Sequence, residues 1–317
     1  MTAQTHSHSR RVLMRFAWLS IAAALFTISL KTLAWWLTGS VGLLSDALES
    51  SVNLIGAVVA LAVLGIAARP PDATHPYGHS KAEYFSSGVE GGLIILAAIA
   101  ISATAVHRII YPQPLDVSFV GLSASIIASM ANLAVARILL RVGRAEDSIT
   151  LEADAHHLMT DVWTSAGVIA GVALVFATGW QILDPLIALA VAANITWTGV
   201  KVFRRSVKGL MDAALPDDEL AVIETVLARH RKPGSVEFHA LRTRIAASRR
   251  FISIHVLVPG DWSVGKGHDL ADRIEQEIQS VLPGASVISH LEPIEDPRSY
   301  LDIDLDQIGR PEDPHQH

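Results

Sequence analysis

Two pairs of potential metal ligands lie inside apolar stretches long enough to cross a bilayer. Glu49 and Asn53 sit in the run over 41–67, and His157 and Asp161 open the run that ends near residue 178. The i, i+4 spacing puts both members of each pair on one helix face. A carboxylate at membrane depth is costly and is rarely kept without a function or a partner. Taken singly, each of these residues reads equally well as an interhelical hydrogen bond. Two such pairs on separate helices could offer four O and N donors to one divalent cation, which is the chemistry of a metal transporter. Asp46 and Asp154 lie about one turn earlier on the same faces and read as accessory ligands or as helix-end caps.

A second cluster follows the second apolar run. Asp72, His75 and His79 fall within eight residues of a loop shaped by Pro and Gly. Three N/O donors so close suit Zn²⁺ or a similar ion, and a solvated polar loop is the competing reading. His239, His255, His268, His290 and Glu292 are scattered over the last third of the chain. Spacing alone does not bring them together, and each by itself reads as an ordinary surface or core residue.

The elements that must position these groups are mostly membrane helices. Half of the 317 residues are hydrophobic, 18% are charged, and mean hydropathy is +0.38. Soluble chains carry about 25% charged residues. The net charge of −6 argues against nucleic acid as a partner. The absence of cysteine excludes disulfides, thiolate zinc sites and a cysteine nucleophile. A bilayer core takes roughly 20 apolar residues as helix, and six segments qualify, over 14–37, 41–66, 86–110, 117–141, 157–178 and 181–204. Isolated polar residues within them (Lys31, Glu90, Asn132, Asp184 and Asn194) are expected to face inward or to snorkel. Three of the connections carry no Lys or Arg. The opposite side has Arg10, Arg11, Arg69, Lys81, Arg141, Arg144, Arg204 and Arg205, which predicts both termini in the cytoplasm. The run after residue 12 is too long for a signal peptide and lacks a clear cleavage site.

Beyond residue 207 the composition changes. Periodicity predicts a helix over 218–228, strands over 235–245 and 250–258, an amphipathic helix over 266–281 and a third strand over 285–291. The segment after residue 296 is acidic and polar and is expected to be disordered. The terminal His6, His8, His315 and His317 read as incidental.

Several motifs together are similar to those of the cation diffusion facilitator family, in particular its bacterial dimeric zinc/iron efflux members. They are Thr-Gly-Ser-Val at 38–41, Asp-Ala-Thr-His-Pro-Tyr-Gly-His-Ser-Lys-Ala-Glu at 72–83, Ala-Asp-Ala-His-His-Leu-Met-Thr-Asp at 153–161, Met-Asp-Ala-Ala-Leu-Pro at 211–216 and His-Ala-Leu-Arg-Thr-Arg at 239–244. The resemblance covers nearly all of 13–296. It implies a six-helix transmembrane bundle followed by a small α+β, ferredoxin-like and metallochaperone-like cytoplasmic domain. The expected layout is a tail over 1–12, a transmembrane domain over 13–207, a metal-binding and dimerisation domain over 208–296 and an acidic tail over 297–317. The implied transport site is Glu49, Asn53, His157 and Asp161. The implied loop site is Asp72, His75 and His79, and the implied cytoplasmic binuclear site is His239, His255, His268, His290 and Glu292. Lys81 and Asp212 match a charge pair near the family's dimer interface.

The implied function is export of a divalent cation from the cytoplasm across the inner membrane in exchange for protons, by a homodimer seated in lipid. Zn²⁺ and Fe²⁺ are the first expectations as cargo, with Mn²⁺, Co²⁺ and Cd²⁺ as alternatives. Metal-loaded ligands must be deprotonated, so protons would leave as metal binds, with His157 the expected main proton carrier. In the efflux members compared, the position of Asn53 is usually a carboxylate or His. A neutral amide shifts preference toward harder ions such as Mn²⁺ or Fe²⁺, while imidazole favours Zn²⁺, Fe²⁺ or Co²⁺. A membrane metalloenzyme would need an open metal position with a general base, and neither a His-Glu-x-x-His pattern nor a phosphate loop is present. A metal-gated channel is the remaining competitor.

Overall fold

The computed structural model describes the backbone over 2–38, 41–111 and 119–301, with side chains over the same residues except 2–12, 38–49 and 52. The chain divides into two compact units, the first ending at Leu210 and the second starting at Met211. The first unit is helical: α1 Thr2–Thr38, α2 Val41–Ala67, α3 Ala82–Ile110, α4 Phe119–Ala145, α5 Ile149–Thr178 and α6 Leu183–Leu210. Five of these contain stretches long and apolar enough to cross a membrane, and the described apolar part of α2 is Asn53–Ala67. The unit is therefore a helical transmembrane region.

Small residues let these helices approach closely, the usual route to packing where lipid supplies no hydrophobic drive. α3 and α6 show it best. A methyl group on Gly91 would lie 2.8 Å from the Phe203 backbone nitrogen, and one on Gly199 would lie 2.8 Å from the Ile95 side chain. On the other side of the bundle, Ala17 of α1, Leu64 of α2, Leu139 of α4 and Leu151 and Leu158 of α5 are buried in one cluster. Glu83, buried at the start of α3, accepts a 2.6 Å hydrogen bond from the Ser148 hydroxyl, tying that helix end to the α4–α5 turn.

Helix α5 begins two turns before the expected residue 157. Ser148 is its N-cap, accepting from the Leu151 amide at 3.5 Å, as serine does at a helix start. His157 and Asp161 therefore lie well inside the helix, and the cap reading of Asp154 is excluded. The inward expectation holds for Lys31, which donates to Ser50 at 2.8 Å, and for Glu90 and Asn132, both buried. Asp184 pairs with Arg108 at 2.9 Å. It fails for Asn194, which is exposed on the chain.

The second unit follows the expected order: α7 Asp217–His230, β1 Glu237–Ala246, β2 Arg249–Val258, α8 Val264–Val281 and β3 Ala285–Pro293. The sheet order is β1-β2-β3, with β1 antiparallel and β3 parallel to β2. The β2–β3 crossover runs through α8, which lays Leu270, Ile274 and Ile278 against Ile252, Ile254 and Val256 of the sheet. This is a small α+β domain. Disorder was expected from residue 297, but Pro297–Tyr300 forms a 3₁₀ turn. It is held by the Tyr300 hydroxyl donating to the Ile294 carbonyl at 3.0 Å and by the Ser299 hydroxyl donating to that of Pro293 at 2.8 Å. Residues 302–317 lie outside those described.

Candidate metal centres

The structure brings three of the four predicted intramembrane ligands into direct contact. His157 Nε2 lies 2.6 Å from Asn53 Oδ1. Because that carbonyl oxygen can only accept, the imidazole donates through Nε2. The Asn53 amide nitrogen donates to Asp161 Oδ2, and Asn132 of α4 donates to the same oxygen at 3.0 Å. A continuous chain of polar groups thus joins α5, α2 and α4 inside the helical unit. Asn53 is 5% exposed and His157 6%. Chemically, these are an imidazole nitrogen, an amide oxygen and a carboxylate oxygen, which match a divalent cation between borderline and hard. These groups hydrogen-bond to one another, so a cation held here would exchange hydrogen bonds for coordination. The side chains of Glu49 and Asp46 lie outside the described residues.

The predicted loop residues also converge. Asp72 Oδ2 is 3.5 Å from His79 Nε2, Asp72 Oδ1 is 3.6 Å from His75 Nδ1, and the two imidazole centroids are 4.4 Å apart. The loop is built by Asp72 itself. Its Oδ1 accepts from the Thr74 hydroxyl at 2.7 Å and from the Thr74 and His75 amides at 2.8 Å. Gly78, at φ 86, supplies the left-handed residue that returns the chain toward His79. The Thr74 hydroxyl and then the His75 amide hold the Asp72 carboxyl at a pKa of about 2, so it is anionic wherever a metal would bind.

In the α+β unit, strand register assembles the third centre. His239 of β1 faces His255 of β2, which faces His290 of β3, and Glu292 follows two residues later on the same side of its strand. His239 Nε2 is 2.8 Å and His255 Nδ1 3.3 Å from the Glu292 carboxylate. Their donor atoms all fall within 4.8 Å of one another. His239 Nδ1 is buried and has no hydrogen-bond partner among the described residues. A bulge between His239 and Arg242 puts Ala240 at φ 48, and bulges commonly re-aim a neighbouring side chain. His290 is at the rim, its side chain 64% exposed and 3.7 Å from Glu292. His268, exposed on the first turn of α8, is not part of the converging group.

Of the expected charge pair, Lys81 donates to the Leu210 carbonyl at 3.5 Å and Asp212 accepts from Arg244 at 3.2 Å. Asn132 was legible as an intramembrane polar residue but not as part of this centre. Spacing on one helix carries no information about what a residue on α3 or α4 faces.

Comparison with known proteins decides the family. The cation efflux transmembrane domain matches residues 17–211, and the cation efflux protein cytoplasmic domain matches 215–294. The chain belongs to the cation diffusion facilitator family. An uncharacterised transporter of Synechocystis sp. is 52% identical over 92% of this chain and 93% of its own length. The cation-efflux pump FieF of Klebsiella pneumoniae is 31% identical over 89% and 93% respectively. A solved structure of CzrB, 34% identical, covers 25% of this chain and 96% of that one, with a TM-score of 0.24. The protein is an integral membrane cation efflux transporter of this family and not an enzyme.

Proposed function

We propose that this transporter exports a divalent cation from the cytoplasm across the bacterial inner membrane by exchange with protons, with Zn²⁺ or Fe²⁺ as cargo. The observation that carries the reading is the contact between Asn53 of α2 and the His157–Asp161 pair of α5 inside the membrane-spanning unit. Glu49, one turn before Asn53, would complete a four-donor set with two negative charges against a divalent cation.

Transport follows from rocking of helix groups about a fixed site near the midplane. A cation displaces the hydrogen-bonded protons of the centre on one side, and protons displace the cation on the other. The loop group Asp72, His75 and His79 and the sheet group His239, His255 and Glu292, with His290 at its rim and His268 as a further ligand, are proposed as additional metal sites. The latter would hold regulatory ions. We place both termini in the cytoplasm from the Lys and Arg distribution. The chain acts as a homodimer through the domain spanning 208–296, with Lys81 and Asp212 as a charge pair near the dimer interface. That part of the chain matches the family's dimerisation-type cytoplasmic domain, and two-fold pairing is the commonest assembly.

The test is uptake into proteoliposomes under a pH difference, comparing Zn²⁺, Fe²⁺, Mn²⁺, Co²⁺ and Cd²⁺ for wild type and Asn53→Asp. Proton-coupled Zn²⁺ or Fe²⁺ flux is the expected result. Preference for Mn²⁺ in the wild type, moving to Zn²⁺ in the variant, would make the amide the selectivity element and replace the cargo assignment. Flux indifferent to the pH difference would instead favour a channel.

A further inference from the structure

Glu90 lies about two turns into α3, a helix to which the ligand pairs of α2 and α5 assign nothing. It is 1% exposed, and neither carboxylate oxygen has a hydrogen-bond partner among the described residues. Such a group is costly to bury, and an intramembrane carboxylate usually marks function. The buried Asp154 carboxylate of α5 is close enough to act on it electrostatically, and two further neighbours define its place. Oε2 is 3.5 Å from His157 Nδ1, the ring nitrogen other than the one that meets Asn53. Across from it, α2 carries Gly56, where a methyl group would lie 2.7 Å from Oε1. The missing side chain at Gly56 makes the notch in which the carboxylate sits, one turn along α2 from Asn53.

We propose that Glu90 is a positioning residue of the intramembrane cation centre: it receives the Nδ1 proton of His157 in a hydrogen bond and thereby presents Nε2 to the cation. A neutral imidazole carries a single N–H. In the observed hydrogen bond that proton is on Nε2, donated to Asn53. When Nε2 binds a cation the remaining proton must be on Nδ1, which has no hydrogen-bond partner among the described residues but has Glu90 at 3.5 Å. A carboxylate behind a metal-bound imidazole fixes its tautomer and orientation, and loss of such a partner costs about 10–100-fold in affinity. Glu90 also brings a further carboxylate to a centre where Asn53 contributes none.

This inference rests on the transport reading of the centre, so its test reads binding rather than flux. Zn²⁺ is titrated calorimetrically into the full-length protein in detergent, with the loop and sheet groups silenced by Asp72→Ala, His75→Ala, His239→Ala and His255→Ala. In that background Glu90→Gln and Glu90→Ala are compared with the parent. The expected result is affinity lower by about 10–100-fold, with a metal-free melting temperature unchanged or higher, because an unpartnered buried carboxylate is gone. The visible spectrum of bound Co²⁺ should shift as the imidazole reorients. Affinity within about threefold of the parent, well short of the roughly tenfold loss expected, with an unchanged Co²⁺ spectrum would overturn the proposal. Loss of affinity that tracks a lowered melting temperature would also overturn it, assigning Glu90 to bundle packing. Failure of the transport reading is seen separately, as absence of cation flux in the wild type.

Discussion

The intramembrane centre and the sheet centre gather N and O donors through opposite architectures. In the membrane, Asn53, His157 and Asp161 come from two helices, with Asn132 added from a third, and are hydrogen-bonded to one another. Their hydrogen-bonding groups are occupied by one another, and any relative motion of α2 and α5 alters the arrangement. In the α+β unit, His239, His255 and Glu292 stand on three hydrogen-bonded strands whose spacing is fixed by the ladder. The first arrangement suits a site that must release its ion. The second suits one that holds it.

The largest effect should separate the two on flux. His157→Ala removes a direct donor and should reduce cation flux in proteoliposomes at least as much as the roughly 10–100-fold lost when an outer partner of a metal ligand is removed. His255→Ala should leave flux within a few-fold of wild type, since its group is not on the cation path proposed here. Equal losses would erase the distinction between a moving and a holding site.

Second in size is metal stabilisation of the isolated cytoplasmic fragment over 208–296, whose core of Ile223, Ile254, Ile274 and Ile278 is self-contained. Zn²⁺ at one hundred times its dissociation constant should add about 2.7 kcal/mol, read as a raised melting temperature that EDTA and His255→Ala each remove. An unchanged melting temperature would end the holding role.

A smaller effect concerns the bulge. Ala240 sits at φ 48 beside His239, a conformation that costs a non-glycine residue about 1–2 kcal/mol. Ala240→Gly should therefore stabilise the same fragment by up to about 1 kcal/mol in urea. Destabilisation would mean the methyl group contributes packing that outweighs the strain.

Smallest is a pH effect remote from both centres. Glu277 accepts from His230 at 2.7 Å and from Arg229 at 2.6 Å, which holds its carboxyl below the ordinary value. A depressed folded-state pKa gives stability that is complete above the unfolded value of about 4.3 and is lost as pH falls through the folded one. Glu277→Gln should flatten the fragment's acid-side stability curve in that window, and a curve of unchanged slope would remove this pair from the acid response.

How far the sequence reaches differs between the same two regions. On one helix, i, i+4 spacing is a spatial statement, so His157 and Asp161 could be paired from their numbers alone. The contributions of Asn132 and Glu90 depend on how α3 and α4 rotate about their axes. A single acid in an apolar helix signals that something faces it, not what. In the α+β unit the elements were readable from periodicity, but the row His239–His255–His290 exists only through register, and the bulge at Ala240 left no mark in composition. The early start of α5 was masked by Glu152 and Asp154, which look like loop residues until Ser148 is seen to cap the helix.

The most direct test of the account removes everything except the intramembrane centre. Protein carrying Asp72→Ala, His75→Ala, His239→Ala and His255→Ala is reconstituted, and pH-driven Zn²⁺ uptake is measured with and without His157→Ala and Asp161→Ala added. The account predicts that flux survives the first four substitutions and disappears with the last two. Loss of flux in the four-site variant while it remains folded, or persistence of flux after the intramembrane pair is removed, would contradict it.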